Sequence, residues 1–104
     1  MSREELLYSD IGNSLKNTEE SKMFGMPCFK INGKAFIGFY QNCMVFKLSG
    51  NPHGKALSVA GACLFDPSGK ARPMKEWVVV PPAFQDDWPD FAHAAFDYVS
   101  KLDN

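Results

Sequence analysis

Three cysteines (Cys28, Cys43, Cys63) and two histidines (His53, His93) are the side chains best suited to nucleophilic or metal chemistry. Their spacing supports neither. A zinc site wants four ligands at short, paired spacing, and no C-x-x-C pair occurs. Three widely separated thiols read instead as reduced, buried, small hydrophobes. Cys–His catalysis would need the fold to carry a histidine to a thiol. Gly50-Asn51-Pro52-His53-Gly54-Lys55 and Ser68-Gly69-Lys70 lack phosphate-loop spacing, and no G-x-S-x-G elbow presents a serine. Asp86-Asp87 is an acid pair, but adjacent carboxylates ahead of a helix favour its positive end. The expectation is a non-enzymatic domain with no catalytic residue, cofactor or metal.

The segment from Gly69 to Trp77 gathers Lys70, Arg72 and Lys75 beside a tryptophan. It is either an anion or partner contact, or a loop whose Met74 and Trp77 plug the core while the cations stay wet. Charge along the chain is uneven. Residues 1–21 carry −3, residues 22–80 carry +6 and residues 81–104 carry −4, for a net −1.

These groups are positioned by elements with clear signals. At 104 residues and 45% hydrophobic, the chain suits one folded domain spanning 1–104. Ser2 with Glu5 three residues on predicts a capped helix, with Leu6, Leu7, Ile11 and Leu15 as its apolar stripe. Cys28 to Ile31, Lys34 to Tyr40 and Cys43 to Leu48 predict strands, joined by two-residue turns at Asn32-Gly33 and Gln41-Asn42. A short helix follows, reaching from Pro52 to Ser58, then strands over Ala62 to Phe65 and Trp77 to Val80. A last helix starts near Trp88-Pro89, with Phe91, Ala95, Val99 and Leu102 on its apolar side. The order α-β-β-β-α-β-β-α implies an α+β, two-layer domain, with helices on one face of a five-stranded antiparallel sheet. No apolar run approaches a membrane span, and the polar N-terminus predicts a cytoplasmic protein.

Two-residue turns set strand register, so the faces of the meander can be written out. One face carries Cys28, Lys30, Ala35, Ile37, Phe39, Met44, Phe46 and Leu48, and is the expected core. The other carries Phe29, Ile31, Lys34, Phe36, Gly38, Tyr40, Cys43, Val45 and Lys47. Aromatics and lysines on a face without helices suggest an interface. The candidate surface is Phe29, Lys34, Phe36, Tyr40 and Lys47, with Lys70, Arg72 and Lys75. It would serve as a homodimer interface, a partner-protein surface, or a nucleic-acid platform of stacking aromatics and lysines.

Met23-Phe24-Gly25, the Gly33 turn, Phe36, Met74, Glu76-Trp77 and the Pro81 stop resemble the N-terminal domain of TfoX-like proteins, which are related to YjbR-like proteins. The resemblance spans nearly the whole chain. It implies a two-layer α+β domain with an antiparallel sheet and a regulatory role. TfoX proteins regulate natural competence, and DNA binding has been suggested for YjbR-like proteins. The resemblance implies no catalytic residue.

Overall fold

The computed structural model describes residues 2–67 and 73–102. Helix α1 (Arg3–Ser14) starts where expected, with the Ser2 hydroxyl accepting from the Glu5 N–H at 3.1 Å. It stops at Leu15, and Asn17 then turns the chain in a left-handed conformation. The buried side of α1 is Tyr8, Ile11 and Gly12, whereas Leu6 lies half in water. Six strands follow: β1 (Thr18–Met23), β2 (Met26–Ile31), β3 (Lys34–Tyr40), β4 (Cys43–Lys47), β5 (Cys63–Phe65) and β6 (Met74–Val80). Helix α2 (Gly50–Leu57) joins β4 to β5. A 3₁₀ segment (Pro82–Asp87) leads into α3 (Trp88–Ser100), with Pro89 in its first turn. Among the described residues no helix is long and apolar enough to cross a membrane.

The domain is α+β with an antiparallel sheet of six strands in the order β1-β2-β3-β4-β6-β5, one more strand than the five expected. The extra strand is β1. Its sequence, Thr-Glu-Glu-Ser-Lys-Met, has no apolar alternation because it is an edge strand. Charged side chains on an edge also oppose pairing with a further strand. Three successive hairpins turn on two residues each, all with positive φ: Phe24-Gly25, Asn32-Gly33 and Gln41-Asn42. The last two are the turns expected from sequence.

The three α-helices of the described residues lie on one side of the sheet. Tyr8, Ile11 and Leu15 of the α1 region and Trp88, Phe91, Ala95 and Val99 of α3 share one core with Phe29, Ile37, Phe39, Met44, Phe46, Val78 and Val80. The Trp88 indole N–H donates to the Val80 carbonyl at 3.3 Å and pins the start of α3 to the sheet.

The register between β2 and β3 departs from the simple one. Ile31 faces Lys34 and Lys30 faces Ala35, but Phe29 faces Ile37 and Cys28 faces Gly38. Phe36 is therefore the extra residue of a β-bulge, which sets it on the helix side together with Ile37. This corrects the two faces written from sequence. Phe29 (1% exposed) and Phe36 (0%) are core residues beneath the helices, and Lys30 and Ala35 move to the opposite face. The Phe29 ring lies directly on α1, where a Cβ on Gly12 would sit 2.2 Å from it. Phe36 meets the Phe96 ring of α3 edge-on at 5.6 Å.

A candidate interaction surface on the helix-free face

Among the described residues the opposite face carries no helix, yet its centre is buried. Met26, Val45, Phe65 and Trp77 form a second core, packed by Met23, Ala35, Tyr40, Met74 and Val79. Sheet curvature explains this. Phe24 lies between β1 and β2, while Phe65 ends β5 at the far edge, and their rings are 6.3 Å apart. In a flat sheet strands β2 and β5 would stand about 19 Å apart, at ~4.8 Å per strand. The sheet therefore curls until its two ends meet over this face. Gly38 makes room for the curl, because a Cβ there would lie 2.6 Å from the Met26 methyl and 3.3 Å from the Pro27 carbonyl.

What stays accessible is a rim. Lys47 sits opposite Trp77 on the neighbouring strand, and Lys75 lies two residues before Trp77 on the same strand. With Met74 and Glu76 they border a shallow depression of about 320 Å³. Lys30 faces Ala35 on the same side and Glu19 across on β1, so lysines from β2 and β4 share one end of the face, with Lys75 of β6 at the edge of the depression. Trp77 itself is 6% exposed, and Met74 packs with it in the second core. That matches the reading in which Met74 and Trp77 plug a core while Lys75 stays wet. At the other end, Tyr40 packs edge-on to Phe65 at 5.2 Å, and its hydroxyl accepts from the Gln41 amide at 3.2 Å.

Of the residues expected at this surface, Tyr40, Lys47 and Lys75 are there. Phe29 and Phe36 are in the helix-side core. Lys34 pairs with Ile31 at the hairpin end, is half-buried and has an interaction of its own. Lys70 and Arg72 lie outside the described residues. Sequence reasoning missed Lys30 and Phe24. Lys30 was hidden by the bulge; Phe24 had one visible signal, a bulky residue directly before a turn glycine.

The thiols divide by environment. Cys28 is buried, Cys43 half-buried and Cys63 exposed, so the expectation of three buried thiols holds for the first and fails for the last. Burial pushes the Cys43 thiol up, and the nearby Cys63 adds to that shift. Burial likewise raises Cys28, against the opposing pull of Lys30. Thiols shifted upward are poor nucleophiles at neutral pH. Among the described residues no three His, Cys, Asp or Glu side chains converge as metal ligands.

Two other polar features stand on the helix side. The Tyr98 hydroxyl donates to the Glu76 carboxylate, while His53 Nε2 lies 2.7 Å from the Lys75 carbonyl. These bonds tie α2 and α3 to the start of β6. A cleft of about 360 Å³ runs between α2 and the start of α3. Its lining includes Val59, Phe84 and Phe91, with Lys55, Asp87 and Asp90. The two aspartates lie at the α3 N-terminus, where they favour the helix dipole.

No family model, curated protein or solved structure matches this chain.

Proposed function

We propose that this domain is a non-catalytic, regulatory interaction module that acts in the cytoplasm and recruits an acidic protein partner through the helix-free face. Kinship with TfoX-like regulators is part of the proposal. The motif residues behind it fall in the sheet, with Phe24-Gly25 as the β1–β2 turn and Glu76-Trp77 in β6.

The observation that carries the reading is the group of lysines at one end of the helix-free face. Lys30 and Lys47 share the helix-free side, with Glu19 of β1 opposite Lys30, and Lys75 borders the same depression as Lys47. The helix layer presents Glu4, Glu5 and Asp10 on α1 and Asp86, Asp87, Asp90 and Asp97 on the 3₁₀ segment and α3, against Arg3 on α1 and Lys55 on α2. A two-fold dimer pairs residues near its axis with their own copies, so one centred on the lysine end would set lysines against lysines, which like charges at close range disfavour. An acidic partner meets the same face with complementary charge. Nucleic acid is the second reading, favoured by the same lysines. It needs accessible rings for base stacking, and burial of Trp77 and Phe65 leaves Phe24 and Tyr40 for that role.

Fluorescence anisotropy at about 50 mM salt separates the readings, a range in which charge contacts are weakly screened. The probes are a labelled glutamate-rich peptide and labelled single- and double-stranded DNA. The expected result is peptide binding that weakens with salt and is lost in the Lys47→Glu/Lys75→Glu double variant. DNA binding with a steep salt slope and no peptide binding would replace the protein partner with nucleic acid. Binding of neither probe would overturn the proposal.

A further inference from the structure

Phe24 breaks two rules at once. It is the most exposed large apolar residue described, at 61%, and it holds φ at +50°. The equivalent positions in the next two hairpins are Asn32 and Gln41, both polar. A left-handed conformation is tolerated by asparagine and glycine, but for a bulky residue it is an outlier. An aromatic ring kept in water on a strained turn serves neither solubility nor local backbone preference, and such outliers point to function. Its surroundings give that function a shape. Phe24 and Tyr40 both pack edge-on against Phe65, so two accessible rings flank one buried ring at the end of the face remote from Lys47. Tyr40 pairs with Cys43, and Lys47 lies four residues further along β4. The aromatic corner is thus about 13 Å from the lysine rim, at ~3.3 Å per residue.

We infer that Phe24, with Tyr40, is the apolar anchor site for the acidic partner, receiving one leucine-sized side chain about four residues from an acidic run in an extended segment. The inference rests on the proposed function of this face. The lysines attract the segment, and the anchor selects it. Selectivity of this kind concentrates in a few aromatic residues of an interface.

The test uses the purified chain and two labelled extended peptides. Each carries a glutamate run, followed four residues later by leucine in one and by serine in the other. Wild type is expected to prefer the leucine peptide about tenfold, a difference of ~1.4 kcal/mol. Phe24→Asn is expected to bind both peptides equally, with a melting temperature equal to or above wild type, because asparagine relieves the strained turn. Phe24→Tyr keeps the ring and is expected to keep the preference. The ratio of the two affinities does not depend on the folded fraction, so it stays readable if a variant is less stable. Retention of the leucine preference in Phe24→Asn would overturn the anchor. Equal wild-type binding of both peptides, still lost in Lys47→Glu/Lys75→Glu, would overturn the anchor and leave the basic face standing. Binding of neither peptide by wild type would overturn both.

Discussion

The Tyr8 ring packs against Phe29 and Phe39, and its buried hydroxyl has no hydrogen-bond partner among the described residues. Burial pushes its ionisation far upward, with further contributions from Cys28, Glu20 and Glu5. An unsatisfied buried hydroxyl costs about 1–3 kcal/mol, while the ring around it contributes packing. Tyr8→Phe keeps the ring and removes the cost, so urea unfolding at pH 7 is expected to show equal or higher stability. The pH dependence has a definite sign. A phenol whose pKa is raised on folding contributes stability that is present below about pH 10, its unfolded value, and is lost as pH rises above it. Tyr98 moves the same way, chiefly through its bond to Glu76. Wild type is expected to lose stability above pH 10, and Tyr8→Phe should flatten that loss in a pH series of thermal melts. Phe36 makes the complementary point. Truncation to alanine should cost about 3–5 kcal/mol, as for any buried aromatic, and chemical denaturation will read it.

Two glycines decide how the elements approach one another. At Gly12 an added methyl would strike the Phe29 ring, which is fixed between the helix and the sheet. Alanine in a helix interior normally gains about 1 kcal/mol over glycine, but overpacking against a rigid ring costs about 1–3 kcal/mol. Gly12→Ala is therefore expected to lower the melting temperature despite its better helix propensity. At Gly38 the nearest obstacle is the end of a flexible methionine, with a backbone carbonyl behind it. Gly38→Ala should displace the Met26 side chain and loosen the second core, with a smaller loss than at Gly12. Comparing the two melts tests whether the helix layer or the sheet's curl is the more rigid contact.

Charge is uneven across the molecule, mostly acidic on α1 and α3 and with lysines gathered at one end of the helix-free face. A net charge of −1 hides this. Surface fields act locally within a Debye length of about 10 Å at 0.1 M salt. The protein is therefore expected to be retained on a sulfonate cation-exchange column at pH 7 and low salt, despite its net negative charge. Retention should disappear in the Lys30→Glu/Lys47→Glu/Lys75→Glu triple variant. Passage of wild type in the void volume would show that the gathered lysines produce no usable field.

Local signals in the chain were enough for several features. The Ser2 cap, the Asn32-Gly33 and Gln41-Asn42 turns, Pro89 in the first turn of α3 and the α+β class all rest on backbone preferences or periodicity within a few residues. Tyr40 and Lys47 were legible as residues of the helix-free face because the second hairpin has no bulge. Only the tertiary structure decided the rest. A single extra residue at Phe36 exchanges the faces of everything on β2, because side chains alternate with a period of two. Neither aromatic content nor turn chemistry marks where such a residue falls. Strand β1 went unread because an edge strand has only one paired neighbour and needs no apolar alternation. The closure of the sheet over Phe65 and Trp77, which leaves Phe24 at its rim, depends on contacts between segments forty residues apart and has no local signature.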